Sequence, residues 1–118
     1  MPSGKQIIEV DYVGLVSGKE VDKSNVFEVF YGDLETAPII KNCPLSMECR
    51  LVDIYDAKTS EIFIGEIVNS YAQTEVLVNE QVDLAKVDPL LFDRSSNQYF
   101  SLGEIAGKGS DGEKYVLR

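Results

Sequence analysis

The chain has 118 residues and a net charge of −9, from 20 acidic and 11 basic side chains with no histidine. That length suits one domain, and 44% apolar content is enough for a core rather than a disordered polymer. The acidic surplus argues against broad nucleic-acid binding and against an anionic membrane surface, both of which call for lysine and arginine.

No apolar run approaches the ~20 residues of a membrane span. The amino terminus lacks the basic-then-apolar layout of a secretory signal, so the expectation is a cytoplasmic protein. The missing histidine removes the Ser-His and Cys-His routes to an activated nucleophile and disfavours most transition-metal sites. Cys43 and Cys49 do not form a C-x-x-C pair, so neither zinc nor a redox dithiol is indicated. Cys49 alternates with Met47 and Leu51, which reads as a buried strand face, and both thiols are expected to be structural.

In chain order, "PSGKQIIEVDYVGLVSG" reads as a helix. Ser3 and Gln6 stand in capping-box register, Ile8, Tyr12 and Leu15 fall on one face, and Gly18 is a candidate left-handed stop. "EVDKSNVFEVFYGD" starts as a short helical turn and continues into β-forming residues. "LETAPIIKNCP" is a connection, since the residue before each of Pro38 and Pro44 is driven toward extended backbone. "LSMECRLVDIYD" and "SEIFIGEIVNSYAQ" are strands rich in β-branched residues. "DAKTS" is short enough to join them as an antiparallel hairpin. "TEVLVN" is a short third strand. The remainder, from Glu80 to Arg118, reads as irregular, with a turn at "DLAKVDPLLFD" and four glycines between Gly103 and Gly112. The sum is one domain over 1–118: a mainly β, antiparallel barrel or sheet with one N-terminal helix.

The chemistry-bearing candidates cluster after that helix. Ser17, Gly18, Lys19 and Lys23 put hydroxyl, glycine and ammonium groups in one turn of an acidic chain. One lysine and a few backbone N–H groups can hold a single phosphate. Ser17, Gly18 and Lys19 also serve as an ordinary helix stop meeting the dipole, and Glu20 and Asp22 are close enough to neutralise Lys23. Gly65, inside its strand, marks a bend or bulge. Glu66 beside it has no evident acid–base partner. Tyr99 is the aromatic best placed to cover a flat ligand, although aromatics near a chain end more often complete a core.

"VSGKEVDKS", "APIIKNCPLSMECRLV", "IFIGEIV" and "VDPLLFDRSSNQYFSLGE" occur in the order seen in flavin reductase-like proteins, flavoredoxin and its relatives. The resemblance runs from about residue 7 to about residue 107. It implies a partial FMN-binding split barrel, usually a homodimer, that holds FMN non-covalently. Electrons would pass from NAD(P)H or a protein donor through the flavin to an acceptor. By that resemblance Lys23 matches a residue at the FMN phosphate, with Ser17, Gly18 and Lys19 beside it and Tyr99 near the ring. No catalytic residue is implied, because the flavin carries the chemistry.

Two departures accompany it. Relatives carry several strands ahead of this helix, and Met1-Pro2-Ser3 resembles their internal N-x-P-S junction. The chain is therefore expected to be the carboxyl-terminal portion of the family domain. Ser60 stands where many relatives have histidine, so that residue's role does not transfer. The alternative expectation is a truncated, cofactor-free β-domain acting in dimerisation or interaction.

Overall fold

The computed structural model describes residues 1–115. Its first helix begins as the Ser3–Gln6 spacing predicts. The Ser3 N–H donates to Gln6 Oε1 at 3.2 Å, the returning half of a capping box. A 3-10 turn at Gly4–Gln6 then leads into α1, Ile7–Leu15. The stop differs from the expectation. Gly18 is not left-handed; the helix ends at an extended Val16. The Lys23 ammonium returns from the next turn to donate to the Val13 carbonyl at 2.7 Å, satisfying an orphan carbonyl and meeting the negative end of the helix dipole. The apolar stripe of Ile8, Tyr12 and Leu15 remains exposed.

β1, Val29–Tyr31, pairs with β2, Pro38–Ile40. The segment containing β2 was expected to be a connection. Proline is tolerated at the first residue of a strand because its missing N–H need not join the ladder. β3, Leu45–Asp56, and β4, Glu61–Ala72, form the predicted antiparallel hairpin of two twelve-residue strands. Its register shifts between Glu48 and Cys49 and between Leu51 and Asp53, opposite Gly65. The predicted bend is therefore a pair of bulges, which kink a ribbon and increase its twist.

"TEVLVN" divides into a 3-10 turn at Thr74–Val76 and β5, Leu77–Val78, paired with β6, Gln81–Val82. Asn79 and Glu80 between them both have positive φ, the signature of a primed two-residue hairpin. The stretch expected to be irregular holds more order than predicted. α2, Leu84–Val87, is capped by Asp83, whose Oδ1 accepts from Ala85 N–H at 2.9 Å. β7, Leu91–Asp93, pairs with β8, Gln98–Phe100. The glycine-rich run from Gly103 is exposed loop closed by a 3-10 turn at Asp111–Lys114; the last three residues of that stretch lie outside the described residues. Among the described residues all four ladders are antiparallel. The fold is mainly β with one N-terminal helix of more than a single turn.

Burial runs against the alternation read from sequence. Met47, Cys49 and Leu51 do share a side of β3, but that side is open, and Cys49 is exposed while Cys43 is buried. The buried residue of β3 is Glu48, at 1% exposure. Its carboxylate accepts from Leu34 N–H at 2.6 Å, Asp33 N–H at 3.3 Å, Asn69 Nδ2 at 3.2 Å and Tyr71 Oη at 3.0 Å. A buried carboxylate is tolerable only when its lone pairs are occupied in this way. Gly32 permits the approach: a Cβ there would lie 2.6 Å from Glu48 Oε2 and would also collide with Tyr71 Oη. Phe30 meets the Tyr71 ring edge-on at 5.7 Å. The 30–34 segment is thus fastened to the base of the β3–β4 ribbon. Beyond that base the ribbon projects, and the Cα radius of gyration is 17.7 Å, against about 13–14 Å for a compact chain of this length.

Gly32→Ala is expected to cost about 1–3 kcal/mol through overpacking, read from the urea midpoint at constant slope. The Glu48 carboxyl is held below its ordinary value of 4.5, first by the Leu34 N–H and against the opposing effect of burial. A lowered native pKa gives stability that is complete above the unfolded value and lost as pH falls through the native one. Glu48→Gln should therefore be less stable than the parent at neutral pH, with the gap closing as pH falls below the ordinary carboxylate range. A gap that is independent of pH would contradict this role.

Candidate functional site

The turn after α1 is wired largely to itself. The Ser17 carbonyl accepts from Glu20 N–H at 3.1 Å and Val21 N–H at 3.0 Å, and Ser17 Oγ accepts from Lys19 N–H at 3.2 Å. Asp22 Oδ1 takes the Ser24 N–H at 2.9 Å, which holds the Asp22 carboxyl below its usual range. Those amides are not open to an anion. The ammonium groups are. Lys23 is half-buried and uses one of its three N–H groups on Val13. Neither Glu20 nor Asp22 forms a salt bridge with it among the described residues. A Cβ on Gly18 would sit 3.9 Å from Lys23 Cε, so the lysine stem passes beside that glycine. Ser17, Gly18 and Lys19 are exposed.

Tyr99 reaches α1 by a different route. Its hydroxyl donates to Asp11 Oδ1 at 3.1 Å, and its ring lies 4.8 Å from that of Phe92. Burial, then the Asp11 carboxylate, pushes the Tyr99 phenol up. The β7–β8 turn sets this position. Asp93 accepts from the hydroxyls and N–H groups of Ser95 and Ser96, which together pull its carboxyl down to about 2, with Ser96 Oγ foremost. A shallow cavity of about 260 Å³ lies against Ile7, Ile8, Asp11, Asn97 and Tyr99. The structure thus gathers four of the predicted residues in one turn and sets Tyr99 apart from them, on the side-chain surface of the same helix.

Two features escaped the sequence reading. One is the Glu48 cluster; its signal is the register that puts Glu48 opposite Asn69 and follows from the hairpin once drawn. The other is a cleft of about 680 Å³ bordered by Lys5, Gln6, Asn42, Gln73, Lys86 and Asp88. Its residues come from four separate stretches of chain, and it contains none of the predicted site residues. Glu66 does have a partner, Arg50 Nη1 at 3.3 Å across the ribbon, an exposed pair with little energetic weight.

A flavin mononucleotide makes two demands. Its phosphate needs donors, and Lys19 and Lys23 offer them. Its ring needs enclosure of the order of 300–1,000 Å³, and the cavity at Tyr99 falls short. The predicted residues offer donors to the anionic tail, while the one described cavity of ring size, the 680 Å³ cleft at Lys5, Gln6 and Lys86, contains none of them.

An antiparallel β fold with one leading helix and a lysine-bearing turn at that helix's end defines the class. The family model described as the flavin reductase like domain matches residues 1–101, and the chain belongs to that family. It is similar in structure to a flavoredoxin from Methanosarcina acetivorans, at 43% identity and a TM-score of 0.90, over 96% of this chain and 61% of that one. It is also similar to a flavoredoxin of Desulfovibrio vulgaris (Miyazaki F), at 29% identity and a TM-score of 0.84, over 97% and 62%. The chain spans about three fifths of either. No curated protein matches it. Among the described residues no helix is long and apolar enough to cross a membrane.

Lys23→Met should fray the last turn of α1 by about 0.3–1 kcal/mol, seen as faster exchange of the Val16 amide, while Lys23→Arg largely preserves it. Separately, an NMR titration should give Asp93 a midpoint of about 2. Asp93→Ala should loosen the β7–β8 turn and broaden the Tyr99 resonances.

Proposed function

We propose that this chain is the phosphate-gripping part of an FMN-dependent, flavin reductase-like oxidoreductase of the cytoplasm. It would work as a homodimer, taking electrons from NAD(P)H or a protein donor. The observation that carries the reading is the family match over 1–101. It is supported by the 0.90 TM-score at 43% identity to a flavoredoxin. The flavin supplies the redox chemistry when bound. The chain's own residues position it: Lys23 holds the phosphate with its two remaining N–H groups, Lys19 adds a second charge, and Ser17 and Gly18 shape the turn. An ammonium already aimed by the Val13 carbonyl loses less freedom on meeting a phosphate than a mobile one. Tyr99 would serve the ring, as the family resemblance suggests. The acidic surplus suits docking to a basic electron-transfer protein.

The test is a titration of FMN followed by its phosphorus NMR signal, then desalting and a spectrum at about 450 nm. Retained yellow that bleaches with NADH or NADPH supports the reading. Lys23→Ala should weaken FMN binding by about tenfold, which is about 1.4 kcal/mol, with the far-ultraviolet spectrum unchanged. Equal FMN binding by parent and variant would remove Lys23 from the site.

A second reading, a cofactor-free interaction module, draws on one observation. The β3–β4 ribbon exposes Leu51, Val52, Ile54, Ile62, Phe63 and Ile67, more apolar surface than a solvated hairpin ordinarily carries. A folded protein that stays colourless after FMN addition would favour it.

A further inference from the structure

The 680 Å³ cleft is built on a well-packed corner of the described residues. Gln6 and Val76 line it and are buried, and Val87, between the lining residues Lys86 and Asp88, is fully buried. Its walls are fastened to one another. The Gly4 N–H donates to the Asp88 carbonyl at 3.1 Å, and the Gln73 N–H to the Pro44 carbonyl at 3.0 Å. Ser3 forms a β-bridge with Pro89, and Gln73 Nε2 donates to the Lys41 carbonyl at 3.3 Å. A cleft whose walls are already fixed loses little freedom when a ligand enters.

The lining carries both signs of charge. Lys5 and Lys86 supply two ammonium groups, and Glu75 and Asp88 two carboxylates. None of the four forms a salt bridge among the described residues. Asp88 has left-handed backbone, with φ 48°, and Gly4 leaves room for its carboxylate: a Cβ on Gly4 would lie 2.6 Å from Asp88 Oδ2. That carboxylate stands at the start of the first helix, where it takes up the positive end of the dipole and leaves less for a bare anion. Gln6, at 9% exposure, accepts from the Ser3 N–H through Oε1. Its Nε2 reaches only Cys43 Sγ, at 3.9 Å, a weak acceptor that leaves an amide N–H to spare.

These groups select among ligands. No aromatic side chain lines the cleft, so a nucleobase or an isoalloxazine finds nothing to stack on. Paired ammonium groups suit a carboxylate, and paired carboxylates suit an ammonium. The carboxamides of Gln6 and Asn42 each offer a donor and an acceptor, the complement of a peptide group. The volume lies within the range of drug-sized ligands, which is more room than a single amino acid fills. We propose that this cleft binds a short peptide of about two to four residues with both ends charged. Lys5 and Lys86 take its carboxylate, Asp88 and Glu75 its amino terminus, and Gln6 and Asn42 the peptide groups between. This inference does not depend on flavin binding.

The test titrates unprotected triglycine into the 118-residue chain, with no FMN present, and follows the amide signals by nitrogen-correlated NMR. Saturable shifts should appear at Gln6, Gln73, Glu75 and Asp88, with a Kd of about 1 mM. Triglycine acetylated at one end and amidated at the other should bind about tenfold more weakly. Asp88→Asn, which keeps the size and tolerates left-handed backbone, and Lys86→Gln should each weaken triglycine about fivefold with the far-ultraviolet spectrum unchanged. Lys58→Gln, exposed and outside the cleft, should leave binding intact. Absence of saturable shifts, or equal binding of the blocked peptide, would overturn the proposal. So would the same shifts on adding inorganic phosphate or FMN, which would assign the cleft to an anion or to the flavin.

Discussion

Glu48 sits where three pieces of chain meet, and its carboxylate ties them together. The N–H groups of Asp33 and Leu34, the Asn69 amide and the Tyr71 hydroxyl all donate to it. Beyond the Phe30 edge contact on Tyr71, apolar packing holds little here, for the buried hydrophobic side chains among the described residues are Ile39, Cys43, Val76 and Val87. In a chain with so small a core, a satisfied polar cluster carries much of the geometric specification. Its position explains Gly32, whose missing side chain makes room for it. It also explains why β1 and β2 lie at the base of the ribbon rather than at its tip.

The strands were legible because their signal is local. Period-two alternation and β-branched residues mark 45–56 and 61–72, and a short polar loop between them dictates an antiparallel hairpin. Which face is buried is not local. Alternation says that Met47, Cys49 and Leu51 lie together; it cannot say whether anything covers them. Hydrophobicity suggested burial for that face, yet it is open and the buried residue of β3 is Glu48. The reversal has one cause: the 30–34 segment approaches from the polar side, a long-range choice set by a glycine and two backbone N–H groups. The β7–β8 hairpin was missed for a related reason. Its strands are three residues each, and a serine-rich turn clamped by Asp93 does the work that apolar pattern usually does.

At the candidate site, residue types were legible and their bonding was not. The turn at 17–23 was visible as lysines, serine and glycine together after a helix. Sequence offered two uses for Lys23: neutralisation by Glu20 or Asp22, or a phosphate grip. The structure adds a third, the 2.7 Å bond that caps Val13, and among the described residues no ion pair of the first kind. A capping lysine and a phosphate-binding lysine are compatible, since the carbonyl bond uses one of three N–H groups and fixes where the others point. Gly18 contributes no left-handed turn, and a Cβ there would make only ordinary contact with the lysine stem, at 3.9 Å.

The proposal is of a flavin reductase-like chain whose lysine-bearing helix end would grip an anionic tail, apart from any shelter for the ring. Phosphorus NMR of FMN tests that division most directly, because the phosphate reports on itself independently of the ring. Adding the chain should shift and broaden the FMN phosphorus signal in a saturable way while leaving isoalloxazine fluorescence close to that of free flavin. Quenched ring fluorescence with an unmoved phosphorus signal would show that the chain meets the flavin from the other end and would contradict the account.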